Sequence, residues 1–172
     1  MRVRYLLVLV LVIATSLNEC FAQQSSRIRF TLDNLEGESK TLESFLRKGP
    51  VYISFWALWC EPCKSEMKAL QSLQDKFAEQ GFTVLAINTD TPKSNAKVKA
   101  FVKTQRFTFP VLLDPNSQVF SQLNGKALPY SLLLHRSGKI VKVRTGYLPG
   151  DEKDIEQDVV KLLKDTDGQA KN

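Results

Sequence analysis

Hydrophobic positions change their period several times along the chain, and each change marks an element. Ile28 to Leu32 alternates like a half-buried strand; after the turn signals Asp33-Asn34 and Glu36-Gly37, Glu38 to Leu42 reads as its return. Ser44 to Arg47 has room for one helical turn before Gly49-Pro50. Val51 to Trp56 is an unbroken β-branched and aromatic run, the pattern of a strand buried on both faces. From Pro62 to Gln80 the period becomes helical. Cys63, Met67, Leu70, Leu73 and Phe77 fall on one face, Pro62 sits in the first turn and Gly81 ends the helix.

The second half repeats this grammar. Thr83 to Asn88 is a strand, and Thr91-Pro92 opens a polar helix with Val98, Phe101 and Val102 inward. Phe107 to Pro110 leads to a short strand, Val111 to Leu113, and Asp114-Pro115-Asn116 starts a helix reaching about Leu123. Tyr130 to His135 and Ile140 to Thr145 are strands joined by the turn Arg136 to Lys139. Glu152 to Leu163 closes the pattern as an amphipathic helix with Ile155, Val159, Leu162 and Leu163 on one side. Strands that alternate with helices predict an α/β fold: a mixed central sheet with helices on both faces. An N-terminal hairpin leads into it, and the last hairpin supplies antiparallel edge strands.

Composition narrows the class. With 172 residues, 43% hydrophobic and 24% charged, the chain is long enough for one domain with a real core. The net charge of +6 is spread without a Lys/Arg block or interleaved aromatics, which argues against nucleic-acid binding. Residues 1–22 read as an export signal: Arg2 and Arg4, then an apolar core from Tyr5 to Leu17, then Cys20-Phe21-Ala22 as a cleavage site. That core is thirteen residues, shorter than the roughly 20 of a membrane span, so contact with a membrane is expected only if the segment is retained as an anchor. The expected organisation is signal 1–22, one domain 23–164 and a polar, frayed tail 165–172. Export implies a periplasmic or otherwise oxidising compartment.

Three cysteines then change the picture. Cys20 lies in the signal, so the mature chain keeps Cys60 and Cys63, separated by Glu61-Pro62. Two thiols this close make a poor staple and a good electron carrier. Cys60 falls just before a helix, where free N–H groups and the positive dipole end favour a thiolate; it is the candidate nucleophile. Cys63, a turn further in on the core-facing side, is the candidate resolving thiol. A static disulfide or half a zinc site is the bland alternative, but zinc needs four ligands and only the distant His135 could add one. No cofactor or metal is expected. Glu61 either opposes the thiolate by repulsion, making the pair more reducing, or is a solvated surface charge. Trp59 either covers the sulfurs and meets substrate or packs.

The run Phe55-Trp56-Ala57-Leu58-Trp59-Cys60-Glu61-Pro62-Cys63-Lys64, with Glu66, resembles the signature of thioredoxin-fold proteins, and specifically exported bacterial thiol–disulfide reductases of the TlpA/ResA type. The likeness continues through Phe109-Pro110-Val111, a central insert shared with peroxiredoxins, and Leu128-Pro129. It implies a thioredoxin fold over roughly Ile28 to Leu163. Glu66 shares the helical face of Cys63; a carboxyl there would be partly buried and suited to proton transfer, a role the resemblance assigns to it in place of the family's strand Asp, here Ser54. The alternative is an exposed glutamate. The resemblance also implies a cis bond at Pro129, which would leave Leu128 free to pair with an extended substrate, with Tyr130 where thioredoxins carry Thr. The implied partners are protein disulfides, apocytochrome c among them, and a membrane thiol–disulfide electron donor. Three rivals stand beside this: a disulfide oxidase or isomerase, a thiol peroxidase (though Ala57 replaces the expected Thr) and a copper(I) carrier.

Overall fold

The computed structural model describes residues 28–169. The signal segment therefore lies outside the described residues. A hairpin of β1 (Thr31–Asn34) and β2 (Ser39–Thr41) precedes α1 (Leu42–Leu46) and β3 (Val51–Trp56). Next come α2 (Glu61–Phe77), β4 (Thr83–Asn88), α3 (Asn95–Gln105), β5 (Val111–Leu113) and α4 (Gln118–Gln122). The hairpin β6 (Tyr130–Leu134) and β7 (Ile140–Thr145) and the helix α5 (Asp151–Gln169) complete the order. Among the described residues no helix is long and apolar enough to cross a membrane.

The strands form one seven-stranded sheet in the order β2-β1-β5-β4-β3-β6-β7. The middle strands β3, β4 and β5 are parallel, and β6 joins β3 antiparallel with Phe55 opposite Tyr130. The N-terminal hairpin is part of the sheet, because β1 pairs antiparallel with β5. Of the last hairpin only β7 is an edge. β6 lies between β3 and β7 with all five residues buried, as its apolar run Leu132-Leu133-Leu134 requires.

Alternation along the strands builds two cores. Tyr52, Trp56, Val84, Ala86 and Leu133 face Met67, Leu70 and Leu73 of α2 and Ile155 and Val159 of α5. Ile53, Phe55, Leu85, Ile87 and Leu132 face the other way, against Leu42 and Phe45 of α1 and Val119 of α4.

Three boundaries differ from the sequence reading. The last turn of the α2 region, Ala78–Gln80, is a 3-10 turn closed by Gly81 at φ 86°. A side chain there would stand 2.4 Å from the Lys48 carbonyl oxygen, so both conformation and space call for glycine. α4 starts at Gln118 rather than at Asp114. The buried Asp114 carboxylate accepts from the N–H groups of Gln118, Val119 and Phe120, capping the helix from outside. α5 continues past Leu163 to Gln169, since nothing between Lys164 and Asp167 breaks a helix.

Candidate active site

The parallel strands β3 and β4 end on the same edge of the domain, and the turn leaving β3 delivers Cys60 there. Cys60 is the N-cap of α2: its backbone is extended, and its Sγ accepts the Cys63 N–H at 3.3 Å. Pro62 lies in the first turn, where no N–H is needed. Cys60 and Cys63 are bonded to one another, with Cα atoms 5.3 Å apart. Cys60 keeps 4% of its surface and Cys63 none, so the outer sulfur is Cys60. Glu61 points to solvent and is held by Lys64 Nζ at 2.6 Å. Its charge is partly compensated on the surface.

Glu66 is 1% exposed and lies between α2 and the sheet. The helical face of Cys63 carries it there, one turn on. Three hydroxyls converge on its carboxylate. Ser54 donates to Oε2 at 2.6 Å, while Ser131 and Tyr52 donate to Oε1 at 2.8 and 3.2 Å. Burial pushes the Glu66 carboxyl above the usual carboxylate range, against these donors and the charge of Arg144, which favour the anion. Burial, and then Glu66, pushes the Tyr52 phenol far up, so it remains a donor. A buried carboxyl one helical turn from Cys63 is a group able to accept and return a proton.

Tyr52 and Ser131 were not singled out from the sequence. The available signal was a polar residue inside an apolar strand: Ser131 directly opposes Ser54 across β3 and β6. Asp90 was also missed. Its Oδ2 accepts from Leu58 N at 2.7 Å and Asn88 Nδ2 at 2.8 Å, tying the turn before Cys60 to the end of β4. Asp90→Ala leaves both donors unsatisfied and is expected to lower stability by about 1–3 kcal/mol; urea unfolding with an unchanged m-value checks this.

Leu128-Pro129 is a cis peptide. The register puts Pro129 one step beyond the Phe55–Tyr130 pair, at the cysteine end of the sheet. Its carbonyl accepts the Gly146 N–H at 2.8 Å, which brings the loop after β7 to the same end. Tyr130 turns the other way: its ring packs on Phe55 and Phe120 in the opposite core, and its hydroxyl donates to the Leu123 carbonyl at 2.7 Å. Alternation along β6 sends that side chain away from the cysteine face. Trp59 does not pack; it is 73% exposed beside Cys60. Leu148, in the loop tied to Pro129, is 72% exposed, a second apolar surface at this end. Trp56 is fully buried, and His135 bonds Ser137 within the β6–β7 turn.

Comparison with known proteins agrees with this geometry. Residues 25–143 match the AhpC/TSA family. The thiol-disulfide oxidoreductase ResA of Halalkalibacterium halodurans is 33% identical over 80% of this chain and 74% of its own length. The protein of the same name from Bacillus subtilis is 34% identical over 74% of this chain and 70% of its own. Among solved structures, one from Chlorobium tepidum described as a thiol:disulfide interchange protein DsbE superposes with a TM-score of 0.74. It is 29% identical, over 80% of this chain and 94% of that one. Fold, sulfur pair and kinship thus converge: the chain belongs to the AhpC/TSA family, within which it is a ResA-like thiol–disulfide oxidoreductase.

Proposed function

We propose that the protein is exported and reduces disulfides in other exported proteins, apocytochrome c among the candidates, and that a membrane thiol–disulfide donor re-reduces it. The direction rests on one observation, the groups around Cys60. A single backbone N–H reaches its sulfur within the first turn of α2, and Lys64, the cation of that turn, is bound by Glu61. The other charged groups placed on this turn and helix face, Asp90 on the Leu58 N–H and the buried Glu66, are both acidic. Beyond the helix N-terminus little stabilises a Cys60 thiolate, and a weakly stabilised dithiol gives up its electrons readily. Export is supported by the N-terminal pattern of Arg2, Arg4, Tyr5 to Leu17 and Ala22.

The Cys60 thiolate attacks one sulfur of the substrate disulfide; the bond to the other substrate sulfur breaks and that sulfur leaves as a thiolate. Cys63 gives its proton to the Glu66 carboxylate and attacks Cys60 Sγ. The Cys60–Cys63 bond forms and the second substrate sulfur leaves. One substrate disulfide is reduced by two electrons, and one dithiol is oxidised by two. The Glu66 proton then returns to a departing thiolate or to water. Trp59, Leu128, Pro129 and Leu148 form the surface over which the substrate lies, with Leu128 backbone groups pairing to an extended segment.

Acid quenching of growing cells, followed by alkylation, should find Cys60 and Cys63 mainly as free thiols. A pair standing mainly as the disulfide would reverse the assigned direction and favour an oxidase or isomerase.

A further inference from the structure

The proton assigned to Glu66 has to be accepted by a carboxylate that is almost wholly removed from water. Three neutral hydroxyls ease this, but a buried anion is held best by a cation. Around Glu66, β3 offers Tyr52 and Ser54, β6 offers Ser131, and α2 offers the two cysteines. The loop after β7 adds Tyr147, whose hydroxyl donates to Glu152 of α5 at 2.7 Å. The cation comes from β7.

The ladder aligns Ser54, Ser131 and Arg144 in one row across β3, β6 and β7. Residues directly opposite in antiparallel strands point to the same face, with Cβ atoms about 4.5–5.5 Å apart. Arg144 therefore stands beside the serine that donates to Glu66, on the face covered by α2 and α5. It is fixed there: its Nη2 donates to Asp158 Oδ2 of α5 at 2.7 Å, and its side chain is only 22% exposed. Lys142, two residues earlier on the same face, is exposed and forms no ion pair among the described residues.

We propose that Arg144, anchored by Asp158, is a positioning residue for the proton chemistry of Glu66: it is the fixed positive charge that, across Ser131, keeps a carboxylate available beneath the sulfur pair. The field of Arg144 acts in the same sense on two groups, favouring the charged forms of both Glu66 and Tyr52. An ion pair that still meets solvent at both ends adds little stability, so support of the fold is a weak reason for placing it here. The inference rests on the proton-transfer role given to Glu66 above, and its test separates the two.

Reduced full-length protein is mixed with dithiobis-nitrobenzoate. Cys60 releases the first thionitrobenzoate in a bimolecular step; attack by Cys63 then releases the second in a unimolecular step, which is followed against pH. Arg144→Gln removes the charge, so the Glu66 anion is less favoured and the rising limb of the second step moves to higher pH. Below the limb that step slows about three- to tenfold, while the first is unchanged. Arg144→Lys restores most of the limb's position, and Lys142→Gln leaves it in place. A limb unmoved by Arg144→Gln, or moved equally by Lys142→Gln, overturns the role of Arg144. A limb that survives Glu66→Gln instead overturns the role of Glu66 itself.

Discussion

Serine at position 60 is expected to reduce disulfide turnover to background, a loss on the order of a thousandfold or more. Cys60 is the only one of the pair with a surface a substrate can reach, and it alone caps the helix through its sulfur. A hydroxyl in its place neither ionises near neutral pH nor forms the mixed bond. Alanine at position 63 has the complementary outcome. Cys60 still attacks, but nothing internal releases the product, so covalent adducts accumulate on Cys60. Non-reducing electrophoresis and mass spectrometry of the adducts read this out and identify the partners. If Cys63→Ala forms no adducts in cells while its Cys60 alkylates normally, the protein is not a general reductant of protein disulfides.

Glu66→Gln should slow the unimolecular resolving step by about a hundredfold or more and erase its rising limb, because the amide cannot take the Cys63 proton. Its effect on stability should have the opposite sign. A carboxyl whose pKa is higher in the folded than in the unfolded chain binds its proton more tightly when folded. Glu66 is such a group. It thus favours folding most at low pH, and the advantage is lost as pH rises from the unfolded value through the folded one. At alkaline pH the wild type holds a buried anion that Gln lacks. Melting curves at pH 4 and pH 8 should show the mutant gaining on the wild type at pH 8. A mutant that gains nothing there would show that the three hydroxyls and Arg144 fully offset the burial of the charge.

The strands β3, β4 and β5 are legible because each is a solid apolar run between turn residues, and their bounds match the sequence reading. The redox pair is legible because its chemistry is local: two residues apart, ahead of a helix. What escapes are features made by distance in the chain. Asp90 meets Leu58 across 32 positions, and Ser131 meets Glu66 across 65. No local period announces such contacts; strand register creates them. Tyr130 shows the reverse problem. Its position after Pro129 suggests the groove, yet the two-residue alternation of β6 turns its ring to the far core.

That far core has a consequence of its own. Phe55, Phe120, Tyr130, Leu132 and the helices α1 and α4 form a compartment that includes neither cysteine nor Glu66. The sheet acts as a partition, with reactivity on one side and ballast on the other. Side chains behind the partition can therefore be exchanged, provided its volume is kept, without retuning the electron-transfer chemistry in front.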